Sequence, residues 1–306
     1  MEDRDLIMKN LQTITPQKTR IGFIGLGVMG RSMAGHILEN GYHLCVYTRT
    51  RSKAADLLEK GAVWGSSAGD LAKQSDIIIS IVGYPADVEQ IYLGPDGILE
   101  NAGAGTLAID MTTSDPALAL TLYNEGQKKG IHVLDAPVSG GDLGARNASL
   151  SIMAGGDEPV FTTALPLLEI MGKNIVYQGP AGSGQHTKMA NQIAIAAGMV
   201  SVCEALAYAK RAGLKPETVL ASIGQGAAGS WSLNNLGPRM INQDFAPGFY
   251  VKHFIKDMNI AADSARSLGL ETPGLDLAKK LYHKLSEKGC ENDGTQALFK
   301  LFGEKS

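Results

Sequence analysis

A lysine and two amides stand at helical spacing near the middle of the chain. Lys188, Asn191 and Gln192 occupy positions i, i+3 and i+4 after a pair of glycines, so they share one face of a predicted helix. Ile195 and Met199 continue that face with apolar side chains. A lysine on such a face needs polar partners, and its place near the positive end of the helix dipole disfavours its charged form. Lys188 is therefore a candidate general acid or base, although a lysine that reaches from a domain junction into solvent fits the same pattern.

A glycine cluster near the N-terminus indicates a dinucleotide site. Residues 25–30 form a G-x-G-x-x-G motif that follows the predicted strand Ile21–Ile24 and precedes a predicted helix. Glycines at these positions let the backbone approach a pyrophosphate, which the N-terminus of the helix then faces. This context favours a cofactor site over a purely structural turn. The predicted cofactor-binding residues of the motif are Gly25, Leu26, Gly27, Val28, Met29 and Gly30.

The end of the second predicted strand, Leu44–Tyr47, indicates which dinucleotide is bound. About twenty residues past the glycines, an NAD site carries an acidic residue for the ribose, but no Asp or Glu occurs here before Asp56. Arg49 and Thr50 stand there instead, in the basic segment 49–53. A guanidinium can bind a 2′-phosphate with two hydrogen bonds. We therefore favour NADP over NAD as the cofactor, with a solvated basic turn as the alternative.

A second glycine cluster follows a later predicted strand. Residues 135–141 read Asp-Ala-Pro-Val-Ser-Gly-Gly, at the carboxyl end of the strand, where open α/β sheets bind ligands. The hydroxyl of Ser139 and the N–H groups of Gly140 and Gly141 would form a cradle for a carboxylate. A tight turn without a ligand explains the same residues equally well.

Apolar runs and helical stretches alternate until about residue 180, and only helical patterns follow. This order predicts an α/β Rossmann-type dinucleotide-binding domain with a parallel sheet, linked by a long helix to an all-α domain. The predicted divisions are an N-terminal arm over 1–19, the Rossmann-type domain over 20–180 and the helical domain over 181–306. The predicted strands are Ile21–Ile24, Leu44–Tyr47, Ile77–Val82, Thr106–Asp110, His132–Asp135, Leu150–Ala154 and Ile175–Gln178. The predicted helices of the second domain are Gln185–Ala212, Pro216–Ile223, Met258–Leu268, Pro273–Lys288 and Gln296–Phe302.

Composition excludes several classes of protein. The 306 residues are 44% hydrophobic and 19% charged, which rules out wholesale disorder, and the net charge of -3 gives no footprint for nucleic acid. Three separate cysteines and scattered histidines argue against disulfides and metal sites and fit a cytoplasmic location. Residues 1–20 lack the apolar core of a signal peptide. The least charged stretch, Met189–Cys203, has 15 residues, fewer than the 18 or more that suggest a membrane span, and is expected to be a buried helix.

Taken together, these segments resemble the β-hydroxyacid dehydrogenase family. That family includes 3-hydroxyisobutyrate dehydrogenase, tartronate semialdehyde reductase and glyoxylate/succinic semialdehyde reductase. The resemblance runs from about Arg20 to the C-terminus, and its four anchors occur in family order. They are residues 22–30, residues 135–141, residues 182–192 and Lys256-Asp257.

The resemblance implies an NAD(P)-dependent oxidoreductase that acts on a CH–OH group. It makes Lys188 the catalytic residue and assigns the substrate to Ser139, Gly140, Gly141, Asn191 and Gln192. Many members have a second asparagine where this chain has Gln192, so which amide contacts the substrate stays open. The cofactor contacts outside the glycine motif would be Arg49, Thr50, Val82, Thr113 and Lys256. A homodimer or homotetramer without a metal is expected.

The substrate class has two candidates. Residues 229–235 resemble 3-hydroxyisobutyrate dehydrogenases, which favours a small 3-hydroxy acid or its semialdehyde as substrate. The alternative is an NADPH-dependent glyoxylate, succinic or tartronate semialdehyde reductase, which the basic segment 49–53 favours. A non-catalytic dinucleotide sensor is disfavoured, because a sensor needs no proton donor such as Lys188. Trp231 and Phe249 either line the substrate pocket or belong to the core.

Overall fold

The computed structural model describes residues 14–303, which form two compact units that divide after Lys188. The division lies inside a long helix, somewhat later than the predicted change of pattern at residue 180. Residues 1–13 of the predicted arm lie outside the described residues. Within the described part of the predicted arm, Ile14 packs against the core of the first unit, and Thr19 donates its N–H to Thr15 O at 2.9 Å.

The first unit is built on a sheet of nine strands in the order β3-β2-β1-β4-β5-β6-β8-β7, with β9 paired to β8. The pairs formed among strands β1 to β6 are all parallel, whereas β8 is antiparallel to β6 and β7. The strands are β1 (Arg20–Ile24), β2 (His43–Tyr47), β3 (Val63–Trp64), β4 (Ile77–Ser80), β5 (Leu107–Asp110), β6 (His132–Asp135), β7 (Val138–Ser139), β8 (Leu150–Gly155) and β9 (Gly172–Gly179).

The Rossmann-type fold class is confirmed, with one correction to the sheet. The predicted parallel sheet extends from β3 to β6, where strands β4, β5 and β6 are buried along their whole length. Continuous apolar runs are typical of parallel strands covered on both faces. The short connection from β7 to β8 cannot make a crossover, so the chain returns antiparallel.

Short helices accompany the sheet, and those between β3 and β5 were not predicted. The segment between β3 and β5 holds three of these, including one that begins after Ser67, whose hydroxyl accepts from Asp70 N at 3.0 Å. The helices of the first unit before the long helix are Gly30–Glu39, Ala55–Glu59, Ala68–Lys73, Pro85–Leu93, Ile98–Asn101, Pro116–Lys128, Gly141–Arg146 and Glu158–Leu168.

The second unit is helical, as predicted. Its core includes Phe254 and Tyr282, whose rings meet edge to face at 5.0 Å, and Tyr282 donates its hydroxyl to Thr295 O at 2.8 Å. The helix Trp231–Ile241, which was not predicted, begins after Ser230, whose hydroxyl accepts from Leu233 N at 3.0 Å. The remaining helices are Ser183–Arg211, Pro216–Ile223, Val251–Ser267, Pro273–Glu287 and Lys300–Gly303, with a 3₁₀ helix at Thr295–Phe299.

The helix Ser183–Arg211, called the long helix below, has 29 residues and contains an 18-residue stretch with mean hydropathy 1.5. The helix extends beyond the 15-residue stretch Met189–Cys203 at both ends, so by length and composition alone it could cross a membrane. Half of the 18-residue stretch is buried, and Cys203 and Leu206 belong to the core of the second unit. Such burial is typical of the core helix of a soluble protein.

Candidate active site

Three polar residues form a row across the carboxyl ends of neighbouring strands. Ser80 ends β4 and pairs in register with Asp110 at the end of β5, which pairs with Asp135 at the end of β6. The Ser80 hydroxyl donates to Asp110 Oδ1 at 2.8 Å and lies 3.0 Å from the hydroxyl of Tyr92. Strands β4 and β5 are apolar up to this last residue, so a polar residue at the end of an apolar run was the sequence signal for this row.

The first turn of the long helix is anchored on Asp135. The Asp135 carboxylate accepts hydrogen bonds from Gly182 N and Gln185 N, each at 2.8 Å. A carboxylate at a helix N-terminus satisfies free N–H groups and interacts favourably with the helix dipole. Burial raises the pKa of Asp135 to about 6, although these backbone hydrogen bonds lower it. Burial likewise raises the pKa of Asp110 to about 6, against hydrogen bonds from Thr112 and Ser80.

Gln185 links this helix to the segment that follows β5. Its Nε2 donates to Thr112 O at 2.7 Å, and its Oε1 accepts from Ser114 N at 2.9 Å. The amide thus binds the main chain on both sides of Thr113, which is half-buried. Neither Gln185 nor the part played by Asp135 was predicted, because both depend on contacts between distant segments.

Lys188 lies beside the predicted carboxylate cradle. Its side chain is buried, and Nζ donates to the carbonyl oxygen of Val138 at 2.7 Å. Val138 directly precedes Ser139, and Gly140 and Gly141 follow with positive φ angles of 130° and 61°. Residues other than glycine rarely adopt such φ angles. The fold therefore brings the lysine and the cradle, which are far apart in sequence, to one place in the first unit.

The two amides after Lys188 have different surroundings in the second unit. Gln192 is fully buried, and its Nε2 donates to Asp257 Oδ2 at 2.6 Å. Asn191 is half-buried and donates from Nδ2 to Gln192 Oε1 at 2.7 Å. Lys256 Nζ lies 2.8 Å from the other oxygen of Asp257. Asp257 therefore holds Gln192 and Lys256, and Asn191 is the amide with accessible surface.

The glycine motif fits a dinucleotide. A Cβ on Gly30 would collide with the carbonyl of Gly25, so glycine is required there by the packing of helix on strand. Gly25 itself has a φ of 98°. A Cβ on Gly27 would meet no protein atom within 4 Å. The protein's own packing does not require glycine at Gly27, and the open space before it suits the approach of a pyrophosphate. Leu26 is buried, whereas Val28 and Met29 are at least partly accessible.

The basic segment has a carboxylate next to it that the sequence did not suggest. Arg49 is 80% exposed, and its Nη1 lies 3.1 Å from Asp87 Oδ1. The guanidinium of Arg51 lies 5.5 Å from the ring centroid of Trp64. Thr50 is exposed between the two arginines. Arg49 is thus accessible to an anionic ligand, but its positive charge is partly balanced by the Asp87 carboxylate.

The remaining predicted residues are placed as follows. Val82 N donates to Thr112 Oγ1 at 3.0 Å, which ties the predicted contact Val82 to the segment beside Thr113. Trp231 is 54% exposed, whereas Phe249 packs against the core of the second unit, 5.7 Å from the ring of Phe254. Among residues 14–303, no group of three or more His, Cys, Asp or Glu side chains is arranged to hold a metal ion.

Two protein families match consecutive parts of the chain. Residues 20–179 match the NAD binding domain of 6-phosphogluconate dehydrogenase. Residues 182–302 match the family described as NAD-binding of NADP-dependent 3-hydroxyisobutyrate dehydrogenase. The two matches together cover both units of the structure.

Curated relatives are similar over nearly the whole chain. An uncharacterized oxidoreductase of Bacillus subtilis is 59% identical over 93% of this chain and 99% of its own. A probable 3-hydroxyisobutyrate dehydrogenase-like mitochondrial protein of Arabidopsis thaliana is 48% identical over 93% of this chain and 85% of its own. The 2-hydroxy-3-oxopropionate reductase of Escherichia coli is 39% identical over 88% of this chain and 92% of its own.

Solved structures agree with these matches. A crystal structure of 3-hydroxyisobutyrate dehydrogenase from Salmonella typhimurium has a TM-score of 0.84 and 27% identity, and the match covers 93% of this chain and all of that one. The chain therefore belongs to the 3-hydroxyisobutyrate dehydrogenase family of NAD(P)-binding oxidoreductases that act on hydroxyl groups.

Proposed function

We propose that this protein is a β-hydroxyacid dehydrogenase that interconverts a small 3-hydroxy acid and its semialdehyde, with Lys188 as the general acid and base. The observation that carries the proposal is the position of Lys188 Nζ, 2.7 Å from the carbonyl of the residue before Ser139. A proton-transfer group then stands next to the groups that would bind the acid, so its distance from the reacting hydroxyl is fixed by the fold.

The proton chemistry follows from this position. In oxidation, neutral Lys188 accepts the proton of the substrate hydroxyl, and in reduction, protonated Lys188 donates a proton to the developing alkoxide. The nicotinamide cofactor, when bound, accepts or supplies the hydride. The Val138 carbonyl orients Nζ by accepting a hydrogen bond from it.

The substrate carboxylate is assigned to the hydroxyl of Ser139 and the N–H groups of Gly140 and Gly141. Positive φ angles at both glycines keep the backbone free of side chains there. Asn191 is assigned to the substrate hydroxyl side, because it stands one turn after Lys188 and has accessible surface. Gln192 is assigned no direct contact with the substrate, since it is fully buried and bonded to Asp257. It would instead hold Asn191, which donates to its Oε1.

The cofactor is assigned to residues 25–30, Val82, Thr113 and Lys256, with NADP favoured over NAD. The open space before Gly27 supports the pyrophosphate site. The exposed guanidinium of Arg49, with Thr50 beside it, supports recognition of a 2′-phosphate.

A second candidate is an NADPH-dependent semialdehyde reductase. The similarity to the 2-hydroxy-3-oxopropionate reductase of Escherichia coli supports it. Its chemistry uses the same residues, with Lys188 protonated at the start of the reaction.

The test is a substrate panel assayed by nicotinamide absorbance with both NAD(H) and NADP(H). We expect oxidation of 3-hydroxyisobutyrate or a related 3-hydroxy acid at a higher kcat/KM than any reduction of glyoxylate, succinic semialdehyde or tartronate semialdehyde. The reverse order would establish the reductase. Cofactor binding without turnover of any substrate would contradict both and indicate a sensor.

The location and assembly are also proposed. The chain is assigned to the cytoplasm, where reduced cysteines such as the buried Cys45 and Cys203 are the norm. A homodimer or homotetramer is the proposed assembly.

A further inference from the structure

The side chain of Gln185 holds the main chain on both sides of Thr113. Its Nε2 donates to Thr112 O at 2.7 Å and its Oε1 accepts from Ser114 N at 2.9 Å. Its backbone N–H donates to Asp135 Oδ2 at 2.8 Å. Gln185 is fully buried, so it acts on bound molecules only through these partners.

Gln185 also stands one helical turn before Lys188. Residues at i and i+3 of a helix move as one rigid piece, so the distance from residues 112–114 to the Lys188 backbone is fixed by the Gln185 amide. The same segment is tied to Val82, because Val82 N donates to Thr112 Oγ1 at 3.0 Å. A primary amide is suited to this position, since it offers one donor and one acceptor on a single planar group.

We propose that Gln185 is a positioning residue that couples the cofactor-contacting segment 112–114 to the turn of the long helix that carries Lys188. The inference rests on the proposed function, in which Thr113 contacts the cofactor and Lys188 transfers the proton. A cofactor held against Thr113 then restrains the start of the long helix. Proton transfer by Lys188 and cofactor affinity both depend on the Gln185 amide, although Gln185 touches neither substrate nor cofactor.

The first experiment replaces Gln185 with methionine, which has a similar length but no amide. Thr187→Val is the matched control, because Thr187 Oγ1 lies in the same turn and bonds to Ser183 O and Gln178 Oε1, at 2.9 and 3.1 Å, and not to residues 112–114. We expect Gln185→Met to raise the cofactor Kd and lower kcat by about tenfold each, as loss of a buried hydrogen-bonded amide allows. Thr187→Val should stay within about twofold of wild type in both, since it leaves segment 112–114 untouched.

A double variant separates positioning from general destabilisation. If Gln185 acts through Lys188, Gln185→Met lowers kcat in the wild-type background but not in the Lys188→Ala background. An equal loss in both backgrounds, or equal behaviour of Gln185→Met and Thr187→Val, would overturn the inference. If Lys188→Ala itself keeps nearly full kcat, the proposed function fails. If Lys188→Ala loses activity while Gln185→Met does not, only the positioning role fails.

Hydrogen–deuterium exchange on the unmodified protein keeps the inference testable if Gln185→Met does not fold. We expect NADPH to slow amide exchange in residues 112–114 and in residues 183–188 together. Slower exchange confined to residues 112–114 would overturn the coupling.

Discussion

Lys188 is buried and donates a hydrogen bond from Nζ to the carbonyl of Val138 at 2.7 Å. Burying an amine costs free energy unless its hydrogens are bonded, so a buried lysine needs polar partners such as this carbonyl. Lys210 lies on the same long helix and is exposed. The contrast between the two lysines gives a matched pair for mutagenesis.

Lys188→Ala should lower kcat by about 10² to 10⁴-fold, the range for a lost general acid or base, and leave the cofactor Kd within about threefold. Steady-state kinetics and a fluorescence titration of cofactor measure the two quantities. Lys210→Ala is the control and should match wild type. A Lys188→Ala variant with nearly wild-type kcat would remove this residue from the mechanism.

Arg49 is the residue on which the choice of cofactor should depend. We expect Arg49→Ala to lower kcat/KM for NADP(H) by about tenfold to a hundredfold, the value of a charge-assisted hydrogen bond, with NAD(H) unchanged. Asp87→Asn should raise the preference for NADP(H) by about twofold to fivefold, because it removes a negative charge beside the phosphate.

The control for Arg49 is Arg20→Ala, which removes another exposed arginine from an ion pair with a carboxylate, Asp76. Arg20 begins β1, at the opposite end of the strand from the glycine motif. Equal losses with both cofactors in Arg49→Ala would indicate stacking on the adenine. A wild-type enzyme that prefers NAD(H) would refute the cofactor assignment.

At the scale of elements, the turn between β1 and the helix Gly30–Glu39 contains two glycines with different roles. Packing requires Gly30, whereas only ligand binding would require Gly27. Gly27→Ala should leave the melting temperature within a few degrees of wild type, because the new methyl group meets no protein atom within 4 Å. The same methyl group should raise the cofactor Kd by about tenfold to a hundredfold if a pyrophosphate approaches there. Gly30→Ala is the contrast, since its methyl group collides with the carbonyl of Gly25 and destabilises the fold. Thermal unfolding measures the melting temperatures of both variants, and titration measures their cofactor Kd values. Normal cofactor affinity in Gly27→Ala would mean that the turn is purely structural.

The row of polar strand ends predicts a pH dependence of stability. Burial raises the pKa of Asp110 from 3.8 to about 6, so the folded state binds a proton more tightly than the unfolded state. The contribution of this carboxyl to the free energy of unfolding is fully present below its ordinary pKa. It is lost as pH rises through about 6, by up to about 3 kcal/mol. Asp110→Asn keeps an acceptor for Ser80 and Thr112 but cannot ionise. We expect its free energy of unfolding, measured in urea, to fall less than that of wild type between about pH 4 and pH 7.

Asp135 titrates in the same window and remains in that variant, so a residual slope is expected. Equal slopes for wild type and Asp110→Asn would show that the Asp110 carboxyl does not titrate differently on folding.

At the scale of the whole molecule, the proposed self-association predicts that some exposed apolar residues of the helical unit are covered. Tyr208 on the long helix is 73% exposed in the single chain. A surface substitution in a monomer changes stability by about 0.5 kcal/mol or less, whereas a charge inside an interface disrupts assembly. We expect Tyr208→Glu to shift the protein to a smaller species in sedimentation velocity. Leu120→Glu, at a 48% exposed position in the first unit, is the control. A wild-type protein that sediments as a monomer would contradict the proposed assembly.

Local spacing determined much of this protein. The period of apolar residues predicted strands β1, β2, β4, β5 and β6 and the helical second unit, and residues 25–30 predicted a dinucleotide turn. Helical periodicity placed Lys188, Asn191 and Gln192 on one face. These features need no long-range contact, because helix and strand geometry alone fixes which neighbours share a side.

Only the tertiary structure decided which distant segments meet. Gln185 reaches Ser114 across 71 positions of sequence, and Arg49 meets Asp87 across 38. The antiparallel return of β8 and the burial of Asp135 likewise follow from how the sheet is ordered. The sequence therefore predicted the groups that could do the chemistry, whereas packing decided which of them are buried, paired and held in place, because burial and hydrogen bonding depend on neighbours that no local pattern identifies.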